Sequence, residues 1–204
     1  MKKFVVYVLI LVAVVLRFGL MFQAHHGDLN NNISWGDEAL KRDLVNFYEG
    51  ENWSYSAPNQ PPLYILVFSA TAFIYRLITD ISWDLNAKAA FFPSTFIWTW
   101  QTYGMDFLMK LPGIIFDFAI AYVVYKFFAT RQKKSLGVKL ALVWLFNPIT
   151  WYNSSIWGQT DSVVNFFGLV AVISLLDKKL VQTAVFFALA TLFRVDSYQY
   201  KHLL

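Results

Sequence analysis

Residues 4–22 open the chain with 19 positions whose only charge is Arg17. That is close to the roughly 20 apolar residues a helix needs to cross the hydrocarbon core at about 1.5 Å per residue. Further apolar runs occupy 63–79, 89–105, 107–128, 136–146, 163–176 and 180–193. Together they predict an all-α polytopic membrane protein of about six to seven transmembrane helices, a single transmembrane domain over residues 1–204. Two polar stretches interrupt it. Residues 23–60 form a long first external loop, and loops of that length are usually functional rather than mere connectors. Within it Leu40, Leu44, Phe47 and Tyr48 recur at helical spacing, which predicts a short amphipathic helix in 33–48 lying on the membrane. The loop closes on Pro58-Asn59-Gln60-Pro61-Pro62, an extended or turning segment. The second interruption, 147–162, starts at Asn147-Pro148 and offers amides, hydroxyls, Asp161 and the indoles of Trp151 and Trp157. Hydrocarbon does not tolerate unpaired backbone or loose carboxylates. The stretch therefore reads either as the wall of a wet cavity or as an interfacial loop with an aromatic belt.

Composition supports the membrane assignment. Hydrophobic residues make up 57% and charged residues 15%, against roughly 25% charged in soluble domains. The net charge of +4 comes from basic residues at the ends of apolar runs, the distribution of cytoplasmic loops rather than of a nucleic-acid surface. With no cysteine there are no disulfides, no zinc thiolates and no Cys nucleophile. Lys2 and Lys3 place the N-terminus in the cytoplasm, and no small-residue cleavage pattern follows the first run, so it reads as a retained helix. The clusters Arg131, Lys133, Lys134 and Lys178, Lys179 belong on the cytoplasmic side as well. An odd number of crossings must then separate residue 60 from residue 131. The 89–105 run supplies the third, and Lys110 and Pro112 begin the following helix on the outer side. The 23–60 loop and the 147–162 break thereby face one compartment.

Several side chains carry candidate chemistry. Asp28 reads as a general base or as a solvated loop acid. His25, His26, Asp28 and Asp37 lack the spacing of a metal site, so no metal and no other cofactor is expected. Arg17 snorkels to the interface or meets an anion. Asp117, inside an apolar run, costs about 2.5–3.5 kcal/mol if unpaired there. It must face a cavity, a partner such as Lys110 or Arg17, or another helix as a structural contact. Trp157, Gln159 and Asp161 suit a sugar, with an indole face for the ring and polar groups for its hydroxyls. No phosphate-binding glycine loop, GxSxG or HExxH is present. Asn52-Trp53-Ser54 and Asn153-Ser154-Ser155 are glycosylation sequons.

Four pieces in this order resemble the GT-C superfamily of integral-membrane glycosyltransferases, particularly its mannosyltransferase-like members. They are His26-Gly27-Asp28, Tyr55 through Tyr64, Lys110-Leu111-Pro112 with Asp117, and Asn147-Pro148 through Ser162. The resemblance implies a polyprenyl-phosphate sugar, mannose first, as donor, and a glycan, lipid or protein acceptor at the outer or lumenal face. Asp28 would be the catalytic base of an inverting transfer, with Arg17 and Lys110 stabilising the departing phosphate. His26, Trp35, Asn59, Gln60, Asp117, Trp157, Gln159 and Asp161 would complete the substrate-binding set. The membrane is a bacterial plasma membrane or the endoplasmic reticulum. Because such enzymes carry further membrane helices, the chain reads as the amino-terminal portion of a longer one. Two other classes remain open: a transporter or flippase-like module with a polar intramembrane cavity, and a non-catalytic subunit of a membrane complex.

Overall fold

The computed structural model describes residues 3–23 and 25–194; Lys2 and the polar ending from Val195 lie outside the described residues. Among the described residues there are helices and turns and no strand. The helices are α1 (Lys3–Leu20), α2 (Asp28–Ala39), α3 (Pro62–Lys88), α4 (Ser94–Ala129), α5 (Lys134–Phe146), α6 (Pro148–Trp151), α7 (Asp161–Leu176) and α8 (Leu180–Arg194). A single 3-10 turn, Phe47–Glu49, interrupts the first loop, and a π-helical turn, Tyr152–Trp157, continues α6. Helices α1, α3 and α4 are long and apolar enough to cross a membrane; α7 and α8 are apolar but shorter. The polytopic all-α class holds.

Runs 89–105 and 107–128 are not two crossings but parts of one 36-residue helix, α4, with Lys110 and Pro112 in its interior. Nothing at Met105-Asp106-Phe107 breaks a helix. Pro112 forfeits one backbone bond, to the carbonyl four residues back, without ending the helix. The expected third crossing between residues 60 and 131 is therefore not a separate element.

The chain forms two compact units. One comprises the described residues up to His25 together with Lys110–Arg194; the other includes His26–Met109.

In the second unit α2 packs on α3. Its buried face carries Leu29, Asn32, Trp35, Gly36 and Ala39, and burial of Leu29 alone contributes about 1.5–3 kcal/mol. The Trp35 ring lies 6.5 Å from that of Phe68, and Arg76 donates to Asp37 at 2.6 Å. This corrects the amphipathic helix expected in 33–48. The helix runs from Asp28, an acid suited to a helix N-terminus, and stops at Ala39. Leu40, Leu44 and Tyr48 fall in turns beyond its end, and the apolar face rests on α3. Proline at the first position of α3 is preorganised for helix and wastes no donor. The first half of α4 joins α3 through a Tyr75–Trp100 stack at 5.6 Å and a Trp100 Nε1 bond to Thr79 Oγ1 at 3.0 Å.

Arg42 folds the loop after α2 back on itself. Its Nε donates to Glu38 at 2.7 Å, Nη2 donates to the Glu51 carbonyl at 3.1 Å, and the guanidinium covers the Trp53 ring at 4.5 Å. The hydrogen bond from Arg42 holds the Glu38 carboxyl below the usual range, against the opposing effect of burial. A depressed folded value means the bracket contributes fully above the unfolded Glu range, about pH 4.3, and is lost as pH falls through the folded value. We expect Arg42→Ala to speed proteolytic cleavage of 40–53 several-fold at neutral pH, with the wild-type loop loosening only in acid. Loss of the cation–π contact alone is worth about 0.5–1 kcal/mol.

In the first unit Arg131 pairs with Asp177, which brings the turn after α4 and the turn between α7 and α8 together. Lys3 and Lys134 line one cavity, so the start of α1 shares that basic end of the unit. Helices α7 and α8 form a hairpin in which Phe167 stacks on Phe193 at 5.6 Å.

Candidate functional site

The 147–162 break is not a loop but a helical elbow. Asn147 leaves the helical conformation, and its side chain accepts from the Ile149 amide at 3.0 Å, capping α6 ahead of Pro148. The chain then widens into the π-helical turn and reverses at Gly158, whose φ of 83° is left-handed. The Asn153 carbonyl accepts both the Gly158 and the Gln159 amides there. A glycine is required at that φ, since a Cβ would clash with the following carbonyl. The elbow turns Thr150 and Ser154 inward, and the first turn of α7 adds Ser162. Asn147→Ala should lower thermal stability by about 1 kcal/mol, the usual worth of a cap, readable as a shift in the melting temperature of the purified protein.

These hydroxyls enclose an ion pair. Arg17 and Asp117 are both fully buried, and Arg17 Nε and Nη2 each lie 3.4 Å from Asp117 Oδ2. Shorter bonds come from the elbow and α7. Ser154 donates to Oδ2 at 2.7 Å and Ser162 to Oδ1 at 2.6 Å. Arg17 Nη1 donates to the Leu145 carbonyl at 2.7 Å, and Nη2 lies 3.4 Å from Thr150 Oγ1. Thr150 lies within reach of the Trp144 and Asn147 carbonyls as well, at 2.9 and 2.8 Å. A charge-assisted bond of this length outweighs a 3.4 Å guanidinium contact. The carboxylate is therefore held chiefly by serines, and the arginine supplies the balancing charge. The hub fastens α1, α4, α5, α6 with its π-helical turn, and α7 to one point.

Arg17 accordingly does not snorkel. Its nitrogens are engaged by protein groups, leaving no cationic face aimed at a phosphate. Of the two partners proposed for Asp117, it is Arg17 that the structure supplies. Lys110, also fully buried, donates from Nζ to the Met21 carbonyl at 2.7 Å, where the chain leaves α1. Trp157 and Gln159 are half-buried in the elbow. Asp161 opens α7 and accepts from Asn153 Nδ2 at 3.3 Å. Those six residues belong to the first unit. His26, Asp28, Trp35, Asn59 and Gln60 belong to the second. Asp28 starts α2 with its side chain about half exposed (49%), its amide donating to His26 Nδ1 at 3.3 Å. Trp35 is a packing residue, with its Nε1 on the Ser56 carbonyl at 2.8 Å. Asn59 is exposed, and the Gln60 carbonyl accepts from Tyr48 at 2.7 Å. Among the described residues no cluster of three or more His, Asp or Glu could hold a metal. Of the sequons, Asn52 is exposed, whereas Ser154 and Ser155 are wholly buried. The hub's hydroxyls, Ser154, Ser162 and Thr150, were visible only as part of a polar stretch. No local spacing announces a partner 37 or 45 positions away.

Fold and hub define a polytopic helical membrane protein whose buried charges are satisfied from within. Residues 37–200, most of the chain, match the family described as GPI transamidase subunit PIG-U, and the chain belongs to that family. Comparison with curated proteins and with solved structures gave no match. The family overturns the expectation of a sugar-transferring enzyme: the matched family is a subunit of a transamidase, not a mannosyltransferase. That family is itself distantly GT-C-like, which accords with the motifs that resemble GT-C enzymes.

Proposed function

We propose that the chain is a non-catalytic membrane subunit of a GPI transamidase complex, working in the endoplasmic reticulum membrane. The observation that carries this is the family match across 37–200. Two features of the chain agree with it. Transamidation passes an acyl group through an activated nucleophile, commonly a cysteine thiolate, and these 204 residues contain no cysteine. The buried acid, moreover, is saturated by Ser154, Ser162 and Arg17, which suits a scaffold that holds helices in place for partners rather than a base poised over a substrate.

The test is made in cells. Removing the full-length protein should leave a GPI-anchored reporter with its C-terminal signal uncleaved, while precursors with their full complement of sugars accumulate. If precursors instead stall short of a sugar, the subunit reading is wrong. Asp28→Asn should restore anchoring as well as wild type does, because Asp28 here is a half-exposed first-turn acid whose helix-end contribution is about 0.3–1 kcal/mol. Abolished anchoring by an Asp28→Asn protein present at normal levels would contradict the scaffold role.

A further inference from the structure

A cavity of about 730 Å³ opens between the first turns of α1, the second half of α4 and the length of α5. Its walls are apolar through Val6, Ile10, Phe118, Ala121, Leu142 and Leu145. The lining is not wholly apolar. Lys3 and Lys134, at the starts of α1 and α5, contribute to it, as do Lys139 about a turn and a half further along α5 and Tyr7, Tyr122 and Tyr125. Among the described residues none of the three lysines is paired with an acid, whereas Arg17 and Arg131 of the same unit each have one. Helix α5 also begins without an acidic residue in its first turn and without a side-chain cap. Positive charge there is left uncompensated by the protein, in a groove bounded by two helices long and apolar enough to cross a membrane.

We propose that this groove binds an anionic phospholipid, with the phosphate on Lys3, Lys134 and Lys139 and an acyl chain laid along α5 toward Leu145. Lys134 to Leu145 spans roughly 16 Å at about 1.5 Å per residue, enough for much of one chain. Any apolar groove facing a bilayer takes up acyl chains. What the lysines add is selection by headgroup, because a zwitterionic lipid brings its own cation to the phosphate and an anionic one does not. Tyrosines at such a boundary place ring in the hydrocarbon and hydroxyl at the headgroup.

Native mass spectrometry of the full chain released from nanodiscs of equimolar phosphatidylserine and phosphatidylcholine reads the selection directly. Phosphatidylserine should be retained about tenfold over phosphatidylcholine, given the pull of several juxtamembrane lysines. Lys134→Gln with Lys139→Gln should bring the ratio close to one. Val138→Trp, which fills the groove wall, should reduce retention of both lipids. Lys178→Gln with Lys179→Gln, an exposed basic pair outside the groove, should leave the ratio unchanged. Equal retention by wild type would overturn the proposal, as would selectivity that survives in the Lys134/Lys139 variant or falls equally in the Lys178/Lys179 variant. Undiminished retention in Val138→Trp would place the lipid elsewhere.

Discussion

Asp117→Ala should destabilise the protein by about 3–5 kcal/mol, the cost of stranding a buried charge once its partner is removed. Arg17 has no route to solvent from its fully buried position, and Ser154 and Ser162 would lose their acceptor in the same step. Total stabilities are about 5–15 kcal/mol, so the variant should show a steep fall in melting temperature and in the monodisperse yield after detergent extraction. Arg17→Ala should cost a comparable amount for the mirror reason. Because a buried pair often does no better than apolar residues of similar volume, Arg17→Met with Asp117→Leu should recover much of the loss. That recovery separates a structural hub from a working one. If the double variant regains its melting temperature and GPI anchoring with it, the charges serve to hold helices. If it regains the melting temperature but stays inactive, the charges have a direct role in the complex. Ser162→Ala is the graded case: it removes one bond to a charged group, worth about 1.5–3 kcal/mol, while the pair survives.

Much of the architecture was legible because hydrocarbon imposes a simple rule. Long apolar runs must be helices, and the run at 4–22 became α1 nearly residue for residue. That two basic turns share one end of a unit was legible as well. The basic turns at 131–134 and 177–179 lie together, tied by Arg131 and Asp177. Boundaries inside the apolar sequence were not. Pro112 and Lys110 look like a helix start, yet α4 passes through both, since a proline costs one bond and the surroundings of Lys110 supply the Met21 carbonyl. The hub was half legible. An acid at Asp117 demands a partner and Arg17 is one of two basic candidates, but the serines that hold it most closely come from the elbow and α7, across a separation no periodicity encodes. Function was the least legible layer. The motifs that resemble GT-C enzymes mark a distant kinship, and residues such as Trp35 that looked like sugar contacts are occupied in packing.

Gly36 offers the second large effect, and here two principles predict opposite signs. In an isolated helix Gly→Ala gains about 1 kcal/mol from backbone entropy. In α2 a Cβ at position 36 would lie 2.5 Å from the Phe68 carbonyl oxygen and 2.8 Å from its carbon, and both atoms are backbone. A flexible side chain would swing aside, but a carbonyl within α3 cannot move without disturbing its own helix. Overpacking of this kind costs about 1–3 kcal/mol even for a small insertion, so the clash should win: Gly36→Ala destabilises, and Gly36→Leu does so more strongly. Lifting α2 from α3 pulls Trp35 off Phe68 and separates Asp37 from Arg76, so amide exchange in α2 should accelerate at least about tenfold, while Arg17 and Asp117, in the other unit, keep their stability. A rise in melting temperature for Gly36→Ala would mean that helix propensity outweighs the contact, and that α2 is not packed on α3 through this glycine.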